Sequence, residues 1–210
     1  MGEDRLIVAI CAWAGMLVTG ISYQWGGRKG WYTGWLRLLL KGGTTLIAAL
    51  LALYGALHSG LAAHRWIALG IAVCAAADVT LEKHFVLGMG NFALGHFCFI
   101  AAFLMLRPLQ PLSLIVMAVI ALGVIVVIPR LRPQTDQPLL PFALYALIIG
   151  MMLALALVQR PLAAAGAALF VISDAMIAYR LLRPAGRLND DLCISFYYSA
   201  QFLLALATIY

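Results

Sequence analysis

The sequence predicts an all-α, polytopic integral membrane protein: eight transmembrane helices in one bundle, a single domain over residues 1–210, with a polar intramembrane pocket. Three observations predict it. First, the 210 residues are 65% hydrophobic and only 10% charged, with a mean hydropathy of +1.01, whereas a soluble domain is about a quarter charged and about half apolar. Second, at about 20 apolar residues per crossing, roughly eight spans with short connections use up the whole length. Third, the few ionisable groups inside the apolar runs fall at one depth. The same arithmetic excludes a separate soluble catalytic domain, a long disordered tail and a nucleic-acid module.

The elements follow from apolar runs between polar breaks. The first run, 5–23, comes after MGEDR without a basic leader or a small-residue cleavage site, so it is expected to be a retained span and not a signal peptide. Gly26-Gly27-Arg28-Lys29-Gly30 closes it. The second run, 34–57, and the third, 66–82, are followed by the tight hairpin Lys83-His84-Phe85 into 87–106. Arg107-Pro108 leads to 112–128, and the stretch from Pro129 to Pro141 leads to 140–158. Arg160-Pro161 opens 161–182, and Arg183-Pro184-Ala185-Gly186 precedes 191–210. No internal repeat is visible between the halves.

Net charge is +6, and its distribution orients the bundle. One side carries Arg28, Lys29, Arg37, Lys83, Arg130, Arg132, Arg180, Arg183 and Arg187; the other carries Arg5, Arg65, Arg107 and Arg160. Basic residues collect on the cytoplasmic side, so both termini are expected to be non-cytoplasmic, in a bacterial inner membrane or an ER-type membrane. Cations spread in ones, twos and threes argue against nucleic acid as a partner; the expected partners are the bilayer and a lipid. Cys11, Cys74, Cys98 and Cys193 all lie in apolar runs with no C-x-x-C pair. They read as buried free thiols, not as a metal site or a disulfide framework.

Ionisable groups within a span cost about 2.5–3.5 kcal/mol each and need a reason. Lys41 lies in the second span, Asp78 and Glu82 in the third, and Asp174 in the seventh. His96 in the fourth span and Tyr197, Tyr198 and Gln201 in the eighth join them. Asp78 precedes Lys83 by five residues and Asp174 precedes Arg180 by six, which puts both carboxyls roughly 7–9 Å in from the same side. Lys41, His96 and Gln201 enter from that side too, so five helices bring polar groups into one slab. Glu82, near a span end, reads as interfacial, and Tyr197 as the member of the tyrosine pair belonging to an aromatic belt. Asp78 and Asp174 are the hardest to explain structurally. Facing each other in a low-dielectric pocket they would share a proton, because close like charges do not both ionise.

These residues sit in segments that resemble the YhhN-like lysoplasmalogenase family of eight-span membrane proteins. GAALFVISDAMIAYRLL (166–182) is similar to its signature, LLLKGGTTLIAAL to its Lys-bearing second span, AADVTLE to its Gly-Asp motif, GMGNFALGHFCFIAAF to its Gly-rich, His-bearing fourth span, and YYSAQFLLALA to its last span. Spans 1, 5 and 6 carry no distinctive match. Ala77 stands where the family usually has Gly, and Gly42 follows Lys41 where Pro is common.

The resemblance implies hydrolysis of the vinyl ether bond of a lysophospholipid, giving a fatty aldehyde and glycerophospho-ethanolamine or -choline. Vinyl ethers resist base and open in acid. Protonation of the β-carbon gives an oxocarbenium ion, water adds, and the hemiacetal collapses. The needs are a carboxylic acid, an anion and a base for water, which is the carboxylate-pair logic of glycosidases. Asp78 and Asp174 would divide the acid and anion roles, with His96 relaying the water's proton. Lys41 would pair with the lipid phosphate or tune an aspartate. Tyr198 and Gln201, three apart on one helix face, would bind the glycerol hydroxyl or the water. Ser173, Asn91 and Glu82 complete the expected substrate-binding set. The chemistry requires no cofactor and no metal, although the His-plus-carboxylate set is also one that could hold a metal ion. Two other functions use the same groups and stay open at this point: a proton-coupled small-molecule transporter and a non-catalytic lipid-binding membrane protein.

Overall fold

The structure is a computed structural model that describes residues 2–131, 139–182 and 186–210. Among the described residues it holds eight α-helices and no strand: α1 Gly2–Ile21, α2 Gly34–Ser59, α3 Ala62–Leu81, α4 Phe85–Leu106, α5 Pro111–Leu131, α6 Leu139–Ala156, α7 Pro161–Leu182 and α8 Arg187–Leu206. A π-helical turn, Ser22–Gly26, continues α1. Seven of these helices are long and apolar enough to cross a membrane; α8 is as long as α3 but opens on Arg187, Asp190 and Asp191. Arg132 and Arg183, two of the cations used to orient the bundle, lie outside the described residues.

Local chemistry sets the ends. Pro111 and Pro161 open α5 and α7, where a missing N–H is harmless and the fixed φ is already helical. Gly60, at φ +68°, closes α2 in the left-handed conformation that glycine adopts freely, its N–H donating to the Ala56 carbonyl.

Six helices form a closed ring in the order α2, α3, α4, α6, α7, α8 and back to α2; α1 packs outside on α2 and α8, and α5 outside on α6. Small residues let the backbones approach, as is usual where lipid removes the hydrophobic drive between helices. Ala48, Ala52, Ala77, Ala102, Ala154 and Ala200 are fully buried. A Cβ on Gly95 of α4 would lie 2.7 Å from Cys74 Sγ and 3.1 Å from the Gly70 carbonyl on α3, so glycine is what brings α4 against α3. Outward faces carry Leu, Ile and Val, as a lipid-facing surface requires. Each expected site residue comes from a ring helix or, for Glu82, from the residue that caps α3.

Candidate active site

Asp78, near the end of α3, is 1% exposed. Its Oδ2 accepts hydrogen bonds from Thr45 Oγ1 on α2 at 2.5 Å and from Tyr197 OH on α8 at 2.8 Å. Three helices thus close over one carboxylate oxygen, and the partners explain how a polar group survives there. Tyr197 is therefore not the belt residue its position suggested: it is buried, and its hydroxyl serves Asp78.

Asp174 on α7 is held differently. Tyr145 of α6 donates a short hydrogen bond to its Oδ2, and His96 Nε2 of α4 lies 3.1 Å from the Tyr145 hydroxyl. With the tyrosine proton given to Asp174, Nε2 is the donor and Nδ1 is left a bare acceptor. Asp174 and Tyr145 also line a cavity of about 380 Å³ between α4, α5, α6 and α7. Its other described walls are apolar, among them Phe85, Met89, Ile120, Val124, Phe142 and Gly150. The expected polar pocket is thus an apolar chamber with two polar groups on its wall.

No hydrogen bond joins the two carboxyls among the described residues; each has its own tyrosine. Phe170, one helical turn before Asp174, touches both clusters, with its ring centroid 5.4 Å from that of Tyr197 and 4.7 Å from that of His96. Phe92 stacks edge-on against Tyr197 and Phe170 as well.

Lys41 does not reach to the surface. It is buried, and its ammonium binds Glu82 Oε1 at 2.9 Å. Tyr23 OH donates to the same oxygen at 2.8 Å, and Arg37 stands 3.9 Å from Oε2. Burial alone would raise the Glu82 carboxyl; Lys41, the hydrogen bonds and Arg37 together hold it below the usual glutamate range. The π-helical turn after α1 supplies Tyr23, and such turns are frequent at functional sites. Gly42 next to Lys41 lets α2 approach α3, since a Cβ there would meet the Ala75 carbonyl oxygen at 3.0 Å.

The remaining expected residues divide. Tyr198 OH lies 3.4 Å from the Lys41 carbonyl, and its ring lines a smaller cavity between α1 and α8. Ser173 donates to the Cys193 carbonyl, tying α7 to α8, and Asn91 donates to Thr80, tying α4 to α3. Neither lines the large cavity. Gln201 is fully buried and its amide makes no hydrogen bond of ordinary geometry; its polar neighbour is the Cys74 thiol. The described residues hold no group of three or more His, Cys, Asp or Glu arranged for a metal ion.

Sequence reasoning missed Tyr145 and Thr45. Both left a signal. Tyr145 is the lone polar side chain of α6, and Thr45 follows Lys41 by one helical turn on the face that meets α3.

A multi-pass helical membrane protein with two buried carboxyls, one of them on the wall of a lipid-sized apolar chamber, is the class these features define. The chain belongs to the YhhN family, whose family model matches residues 36–208. It is 33% identical over 145 residues to lysoplasmalogenase TMEM86B of Homo sapiens, a match that covers 67% of this chain and 62% of the human protein. It is also 33% identical over 153 residues to lysoplasmalogenase TMEM86B of Rattus norvegicus, covering 70% of this chain and 63% of the rat protein. The chain thus spans somewhat under two thirds of the length of these curated relatives. No solved structure matches it.

Proposed function

We propose that the protein hydrolyses the vinyl ether bond of lysoplasmalogens within the membrane, releasing a fatty aldehyde and a glycerophospho-ethanolamine or -choline. The observation that carries this reading is the apolar chamber whose polar lining among the described residues is Asp174 with Tyr145. Its walls suit one hydrocarbon chain, and the carboxyl stands where such a chain would lie. The curated relatives named lysoplasmalogenase point to the same substrate.

In this reading Asp174 is the acid. Tyr145 occupies Oδ2, which leaves Oδ1 to carry the proton that goes to the vinyl β-carbon. His96 fixes Tyr145 and so fixes the carboxyl. Asp78, with two hydrogen bonds to one oxygen and Lys41 within electrostatic reach, is the anion that stabilises the cationic intermediate and takes the water's proton. Lys41, Glu82, Arg37 and Tyr23 form the polar end of the site, where the head group would lie. The helix α8 crosses as an eighth span, because it closes the ring between α7 and α2. The basic loops face the cytoplasm and both termini the opposite side, which a C-terminal topology reporter checks.

The test is aldehyde release by purified protein given lysoplasmalogen. Asp174→Asn and Asp78→Asn are expected to abolish it while the helical fold remains. Full activity in either variant removes that residue from the mechanism, and pH-driven uptake into liposomes without hydrolysis replaces the enzyme with a transporter.

A further inference from the structure

Asp78 does not line the lipid chamber, so it reaches the reacting carbon only through something smaller. Beside it lies a level of polar groups that the protein satisfies only in part. The Tyr197–Asp78 hydrogen bond sets α8 against α3. One turn further along α8 is Gln201, and one turn back along α3 is Cys74, its polar neighbour. Gly95, pressed onto Cys74 Sγ, brings the adjacent His96 of α4 to the same level. Gln201, His96 and Cys74 are all fully buried. Neither amide atom of Gln201 has a hydrogen-bond partner of ordinary geometry, the Cys74 thiol being a weak neighbour, and His96 Nδ1 has none.

A buried amide offers two N–H donors and two acceptor sites, and the imidazole Nδ1 offers one more acceptor. Buried polar groups in native proteins are nearly always bonded, to protein or to ordered water, and a buried water typically makes about three hydrogen bonds to such groups. Cys98, also on α4, adds no stronger donor. Hydrocarbon would satisfy none of these groups.

We propose that Gln201, His96 Nδ1 and the Cys74 thiol form an internal water site between the two carboxyl clusters, and that Gln201 is the positioning residue for the hydrolytic water. The second half rests on the proposed vinyl ether hydrolysis. Lipid and water then arrive from different sides: the chain through the apolar chamber, the water from the ring interior. Atoms balance as follows. Asp174 gives its proton to the β-carbon, and the held water bonds to the α-carbon while Asp78 takes one of its protons. The hemiacetal hydroxyl proton next goes to Asp174 as the bond to the glycerol oxygen breaks, and Asp78 returns its proton to that oxygen. Both carboxyls end as they began.

X-ray radiolytic hydroxyl labelling of the full chain in detergent, without lipid, tests the site directly, because radicals formed from a bound water mark its neighbours. Cys74 is expected to label, whereas the equally buried Met152 does not, and Gln201→Leu is expected to abolish the Cys74 label. A Cys74 as unlabelled as Met152 in the unmodified protein means a dry interior and overturns the inference, with no variant needed. In turnover, Gln201→Leu is expected to lower kcat with KM for the lysolipid unchanged, and Gln201→Asn to restore part of it. Should Gln201→Leu fail to fold, Gln201→Met, closer in shape, carries both readings. Cys74 labelling with normal turnover in these variants overturns the positioning role. Absence of aldehyde from the unmodified protein removes the hydrolase reading and that role together, while the labelling result still decides the water site.

Discussion

Two aspartates of the same ring live in opposite surroundings. Asp78 is bonded by Thr45 and Tyr197 and does not line the lipid chamber; Asp174 has one tyrosine and a chamber wall. The first arrangement puts two hydrogen bonds on Oδ2 and the second puts one there; Oδ1 takes part in none of these bonds in either carboxyl, but only Asp174 faces the chamber. A carboxyl held by two donors inside the ring is placed to stabilise charge and to meet water, and one on the chamber wall is placed to meet the lipid. In the proposed mechanism that contrast is the ground for giving the acid role to Asp174 on α7 and the anion role to Asp78 on α3.

The assignment is broken most sharply by neutralising each carboxyl. Asp174→Asn is expected to lower aldehyde release by about 10²–10⁴-fold, the usual contribution of a positioned proton donor, with the melting temperature in detergent little changed. Asp78→Asn is expected to lose activity and melting temperature together, because Thr45 and Tyr197 then face an amide that presents donors as well as acceptors. Equal melting losses in both would mean that both are structural. One step smaller is the tyrosine pair. Tyr145→Phe removes the link from His96 to Asp174 and is expected to reduce kcat by roughly tenfold, the scale of one hydrogen bond, with a melting loss smaller than its kinetic one. Tyr197→Phe is expected to show the reverse pattern, a melting loss larger than its kinetic one.

Much of this was legible in the sequence. Helix positions follow from hydrophobic length, which the bilayer thickness imposes, and the polar slab follows from counting residues to the basic loops. The side chain that each carboxyl binds was not legible. Span counting gives depth but not rotation about the helix axis, so Asp78 and Asp174 were expected to face each other, while in the ring each turns to a separate tyrosine. Ser173 and Asn91 show the same limit, since both lie at the right depth and point to neighbouring helices. Lys41 and Glu82 were expected to act separately, and their ion pair depends on the register of α2 against α3, which close contact at Gly42 sets.

The chamber itself offers a gentler test of the Asp174 side. Val124 of α5 lines the chamber, so Val124→Phe is expected to fill the part of the chamber beside α5. Losing or gaining a methylene in an apolar site changes selectivity by about 1–3 kcal/mol. The variant should therefore raise KM for long-chain lysoplasmalogen by roughly tenfold or more and leave a short-chain analogue less affected. An unchanged chain-length profile would move the hydrocarbon out of this cavity.

The smallest effect belongs to the Asp78 side, at Lys41–Glu82. The Glu82 carboxyl is partly open to solvent, 27% exposed, and its pairing is discounted accordingly, to about 1 kcal/mol. Its folded-state pKa lies below the ordinary glutamate value, so the unfolded chain binds the proton more readily than the folded one does. The pair's contribution is then fully present above about pH 4.3, the unfolded value, and is lost as pH falls through the lower folded value. Melting curves from pH 7 to pH 3 should show a step in the unmodified protein that Glu82→Gln lacks, the two curves converging at the acid end. Convergence at pH 7 instead would show that Lys41 is held by something other than Glu82, and the field around Asp78 would then need another source.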